Sequence, residues 1–192
     1  MIDNLSFFYK FIIYFNMKKI INYSIIIALI VGILFGLLYP VNLSEYVVFI
    51  NIISFKIILI LLLISLLCIV LPLISLNLSQ TLLFFEGFSF GYMLSLFIIS
   101  YKLKGLLFII VYFIIFKLIN IFILYLNSFY SYKFIKHIYL NIFNKYKRNI
   151  NNLFLYMKKI IVMSSVYFIN NIICLILKYF FALKLFKFII DK

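Results

Sequence analysis

With 192 residues, 68% of them apolar or aromatic and only 11% charged, the chain has too few polar side chains to cover a water-soluble core of its own size. Its apolar residues run continuously for roughly 20 positions at a time and do not alternate, which excludes a membrane β-barrel and predicts an all-α fold, a polytopic membrane helical bundle of about five transmembrane helices. The net charge of +14 is carried by lysines and a single arginine, Arg148; these sit mostly at the ends of apolar runs, where they read as topology signals and exclude a nucleic-acid-binding face.

Residues 1–19 form an N-terminal cytoplasmic or interfacial segment, apolar but broken by Lys10 and too short to span. Met17-Lys18-Lys19 before an apolar run reads equally well as the true start. A four-helix membrane core is expected over 20–130. Its first span, Ile20 to Tyr39, contains Gly32-x-x-x-Gly36 and is stopped by Pro40. Without a small-residue cleavage site it is expected to stay as an anchor. A link with Asn42, Ser44 and Glu45 leads to the second span, Ile57 to Leu76, where Pro72 is expected to kink the last turns. Only Asn77-Leu78-Ser79-Gln80 separates it from the third, so a tight hairpin between the two is expected.

The third span, Thr81 to Ser100, carries Glu86 and Gly87-x-x-x-Gly91-x-x-x-Ser95. Lys102-Leu103-Lys104-Gly105 then turns the chain into a fourth span ending near Asn127 or Tyr130. Residues 131–159 read as a basic cytoplasmic connection of amphipathic character, with Lys133, Lys136, Lys145, Lys147, Arg148, Lys158 and Lys159. Residues 160–192 supply a final membrane helix, about Ile160 to Tyr179, and a lysine-bearing tail. Asn170 and Asn171 interrupt that helix, so a C-terminus returning to the cytoplasm stays open. A cytoplasmic N-terminus places ten Lys/Arg inside against seven outside, the bias that the positive-inside rule asks for.

A carboxylate inside an apolar run requires a partner, because a charge buried alone at mid-bilayer costs on the order of 2.5–3.5 kcal/mol. Lys117, on the antiparallel neighbouring span, is the expected partner of Glu86. Asn120 and Asn127 follow Lys117 at i+3 and i+10 and form one stripe with Leu124. That stripe must face protein or water, either as helix-packing glue or as a polar path. The glycine steps at Gly32, Gly36, Gly87 and Gly91 give small-residue faces for close helix approach, within the bundle or toward another protein.

No catalytic, cofactor-binding or metal-ligating residues are expected, and no cofactor. The four acidic residues are far apart, no nucleophile has a base beside it, and there is no Gly-rich phosphate loop. Cys68 and Cys174 lie in apolar segments without histidine, and His137 is a lone residue of the basic connection.

The order of features from about Ser24 to Phe134 resembles the stage II sporulation protein M family of integral membrane proteins. The resemblance rests on Val31-Gly32-Ile33-Leu34-Phe35-Gly36, on Val70-Leu71-Pro72, on Leu83-Phe84-Phe85-Glu86-Gly87-Phe88-Ser89-Phe90-Gly91-Tyr92, and on Lys104-Gly105-Leu106-Leu107. The link over Val41 to Lys56 is shorter than usual in that family, and Phe116-Lys117 stands where the family often has proline beside polar residues. The resemblance implies a non-enzymatic membrane scaffold of the cell membrane that anchors peptidoglycan-degrading partners, stage II sporulation proteins D and P, during forespore engulfment. Its rival is a transporter or permease subunit with a polar path near Glu86 and Lys117.

Overall fold

The computed structural model describes residues 17–40, 55–74, 76–143, 150–182, 184 and 188. Expectations for the first sixteen residues, for the link with Asn42, Ser44 and Glu45, for Lys145, Lys147 and Arg148, and for Lys187 and Lys192 fall outside them.

The described residues form helices and no strands, in the order α1 (Met17–Leu38), α2 (Phe55–Val70), a 3-10 turn (Leu71–Ile74), α3 (Leu78–Phe116), α4 (Leu118–Phe143), α5 (Ile150–Leu177) and a π turn (Lys178–Ala182). Helix satisfies every backbone donor and acceptor within its own segment, which an apolar run needs where no water can serve. By length and composition α1, α2 with its 3-10 turn, α3 and α5 are each long and apolar enough to cross a membrane. The fold is an all-α bundle of such helices.

α3 is two helices. Lys102 has φ 51° and ψ −126°, and about this residue the chain reverses. Phe90 packs against Phe113, with centroids 4.2 Å apart, and Phe97 stacks on Phe108, at 4.9 Å. These pairs are antiparallel partners about a turn at 102, so limbs 78–101 and 103–116 form a hairpin where the sequence placed a turn between spans. Gly105 allows it to be this tight, since a Cβ there would overlap the Phe97 carbonyl. The first limb is about 36 Å long, enough to cross.

The second limb continues into α4 through Lys117, whose φ of −118° opens the helix without ending it. Its N–H donates to the Phe113 carbonyl at 2.9 Å, and its own carbonyl accepts from Ile121 at 3.0 Å. α4 then passes the expected end at Tyr130 and runs on to Phe143. α5 likewise begins at Ile150, ten residues before its expected start. The basic connection over 131–159 is thus largely two antiparallel helices. The reason is a buried seam that basic composition concealed: Ser131, Phe134 and Ile160 are all buried.

The other correction concerns α2 and α3. The 3-10 turn holding Pro72, which is buried, joins them closely. However, α2 makes few close approaches to α3 and packs along α5 instead. The face of α3 that a packed hairpin would need is taken by α1. The α1–α3 interface is parallel in register, with Gly87 against Ile25 and Ala28, Gly91 against Leu29 and Ile33, Gly32 against Phe88 and Tyr92, and Gly36 against Tyr92 and Ser95. Helices separated by one intervening crossing must be parallel, so this register agrees with the count of spans.

Two apolar clusters fill the bundle at different heights. Toward the Lys102 turn lie Phe97, Phe108, Ile109, Tyr112 and Phe116; toward the other end lie Ile21, Leu83, Ile123, Leu124 and Tyr167. Exposed Leu59, Leu63, Leu66 and Val70 of α2 and Ile26, Ile30 and Leu34 of α1 form outward faces suited to lipid.

Candidate functional site

Between the two apolar clusters lies a polar layer. Lys117 Nζ stands 2.5 Å from Glu86 Oε2, and their side chains are 17% and 16% exposed. The hairpin sets this contact, because Glu86 and Lys117 are nearly equidistant in sequence from the turn at Lys102. Glu86 is eight residues into the first limb, about 12 Å from its start. At that depth the nearest opposite charge is the cheapest partner.

The asparagine stripe is turned into the bundle. Asn120 is 3% exposed, and Leu124 and Asn127 are fully buried. Asn120 Oδ1 accepts from Asn170 Nδ2 at 2.6 Å, and Asn120 Nδ2 donates to Asn171 Oδ1 at 3.0 Å. Asn171 Nδ2 in turn donates to the Tyr167 carbonyl. Asn127 Nδ2 donates to Ser164 Oγ at 3.0 Å. Cys174 Sγ donates to the carbonyl of Phe116, at the opening beside Lys117, at 3.5 Å. These contacts fix α4 and α5 antiparallel. Asn170 and Asn171, which interrupt the fifth apolar run, are the partners that Asn120 requires.

At the far end of the layer Asn77 caps α3, its Oδ1 accepting from Gln80 N–H at 3.3 Å. Its Nδ2 donates to the Ser128 carbonyl and hydroxyl at 3.1 and 3.2 Å, tying the 71–77 connection to α4. Sequence assigns Ser128 and Ser164 no role, places Asn77 only in a link, and reads Asn170 and Asn171 only as interruptions of the fifth run. The signal was there for two of them, since Ser164 and Asn171 repeat at i+7 and therefore share a helix face.

The expected packing residues fall in four places. Gly32, Gly36, Gly87 and Gly91 meet at the α1–α3 interface, Gly105 lies inside the hairpin, and Pro72 sits in the 3-10 turn. Glu86, Lys117, Asn120 and Asn127 form the polar layer. The glycine faces left open by sequence between bundle and partner are internal. Cys68 and Cys174 are both buried free thiols, facing the bundle. Among the described residues no group of three metal-ligating side chains occurs.

Outside the apolar spans, His137 stacks on Tyr156 with centroids 5.3 Å apart. Burial, and then the positive charges of Lys136 and Lys133, push its pKa below the usual histidine value. It is therefore neutral at pH 7.

No family model, no curated protein and no solved structure matches this chain.

Proposed function

We propose that this protein is a non-enzymatic membrane scaffold, lying in the cell membrane with its N-terminus in the cytoplasm and holding peptidoglycan-degrading partners there, as the resemblance to stage II sporulation protein M implies. The observation that carries the reading is how the charged and amide groups of the polar layer are used. Glu86 pairs with Lys117, Asn120 with Asn170 and Asn171, and Asn127 with Ser164. Side chains engaged with one another across helices act as packing contacts, and a bundle locked in this way suits a fixed platform. The aromatic cluster of Phe97, Phe108, Tyr112 and Phe116 caps the layer toward the Lys102 turn, where a through-going path would need polar groups.

One observation favours the second reading, a transporter or permease subunit. Asn127 Oδ1 and Ser131 Oγ are buried without a hydrogen-bond partner, as expected where water enters a polar path. The test is affinity recovery of the tagged full chain from detergent-solubilised membranes of its native host, with the bound proteins identified by mass spectrometry. Recovery of peptidoglycan-degrading proteins supports the scaffold. Recovery of an ATPase or a solute-binding subunit refutes it in favour of transport.

A further inference from the structure

The basic helical hairpin carries a constellation that neither reading uses. Lys133 Nζ lies 4.3 Å from the centroid of the Phe129 ring and 5.7 Å from that of Tyr156. Lys159 Nζ approaches from α5, 5.1 Å from the centroid of Tyr130 and 6.0 Å from that of Tyr156. Two ammonium groups thus converge on one tyrosine ring. No Asp or Glu occurs between Glu86 and Asp191, and His137 on the same ring is neutral at pH 7, its pKa lowered by burial and by Lys136 and Lys133. Aromatic faces orient the lysines and satisfy them weakly, but they do not cancel the mutual repulsion of two like charges. A charge pair of this kind is completed by an anion.

Height in the bundle selects which anion. The 71–77 connection meets α4 at Ser128, so this level marks the end of the apolar layer. Lys133 is five residues beyond it, about 7 Å along the helix. The Asn127–Ser164 contact sets the antiparallel register and places Lys159 at nearly the same height. The headgroup layer on each side of a bilayer is about 5–8 Å thick. Both ammonium groups therefore sit at the depth of lipid phosphates, with tyrosine rings in the interfacial position that suits them.

We propose that Lys133, Lys159 and the Tyr156 ring that both approach form a binding site for the phosphate of an anionic phospholipid in the adjacent leaflet. The site docks the basic hairpin on the membrane surface. It is independent of the scaffold reading, because it needs no protein partner.

The test titrates the purified full chain in detergent with phosphatidylglycerol or phosphatidylcholine and reads retained lipid by native mass spectrometry. Phosphatidylglycerol is retained in preference. Lys133→Gln/Lys159→Gln weakens that binding about 25-fold, from the roughly fivefold that each interfacial lysine contributes. The charge-matched Lys102→Gln/Lys104→Gln variant, altered at the opposite end, changes it by at most about 2-fold. Lys133→Arg/Lys159→Arg keeps the preference, which separates charge from packing should the glutamine variant fail to fold. Absence of a headgroup preference in the wild type, or equal loss in both glutamine variants, overturns the proposal. So does displacement of the lipid by excess inorganic phosphate, which would make the ligand a free anion, or by single-stranded RNA, which would make it a nucleic acid.

Discussion

Replacing Glu86 with glutamine leaves Lys117 half-buried in the polar layer without its counter-charge. At about 12 Å inside the span, a lone cation costs on the order of 2.5–3.5 kcal/mol. The side chain is 17% exposed, so some of that is recovered by solvent or by snorkelling, and a loss of about 2–3 kcal/mol is expected. Lys117→Met strands the carboxylate at similar cost. The double variant Glu86→Gln/Lys117→Met removes both charges together. Since the attraction within a buried pair roughly offsets its desolvation, the double variant is expected within about 1 kcal/mol of wild type. The cycle then yields a coupling of about 4–6 kcal/mol. The assay is equilibrium unfolding of the full chain in mixed detergent micelles, followed by helical circular dichroism. If the two single losses simply add in the double variant, the pair is not the reason these charges are tolerated, and the polar layer has been misread.

The glycines should rank by what a methyl group meets. Gly91→Ala and Gly32→Ala overlap the Leu29 and Phe88 carbonyls and are expected to cost at least about 2–3 kcal/mol. Gly36→Ala meets first the Ser95 hydroxyl, which can rotate, and costs less. Gly87→Ala meets nothing closer than 3.2 Å and stays within about 1 kcal/mol. The same unfolding assay would contradict the parallel α1–α3 register if Gly87→Ala proved the worst of the four. Lys102→Gly relieves a positive φ at the hairpin turn and is expected to stabilise by about 1 kcal/mol; a loss would place the turn elsewhere. His137 is the one histidine, so its imidazole titration by NMR is unambiguous. Burial, Lys136 and Lys133 lower its pKa, so the midpoint should fall below that of a free histidine. Stability contributed by the neutral ring is then present above the unfolded pKa and lost as pH falls through the lower, folded one. A midpoint above 6.5 would contradict the packing around Tyr156.

Much of this architecture was legible in the sequence because bilayer physics leaves few choices. Apolar runs fixed the spans, Lys102 to Gly105 marked the reversal, and an intramembrane Glu86 asked for a Lys117. Pattern could not reveal that 131–159 is mostly helix, since seven cationic residues mask a seam made by Ser131, Phe134 and Ile160. Nor could loop length show that α2 turns from α3 to α5. Pairing there is decided by competition for one face of α3, which α1 wins because Gly32 on α1 and Gly91 on α3 permit backbone contact. The amides of α5 were read as interruptions because a partner on another helix is invisible until both are placed.

The scaffold account is tested most directly by repeating the affinity recovery from native membranes with Glu86→Gln/Lys117→Met beside the wild type. If the polar layer is structural, the same peptidoglycan-degrading proteins are recovered with both. Recovery of an ATPase or solute-binding subunit with the wild type, lost when the two charges are removed, would contradict the account.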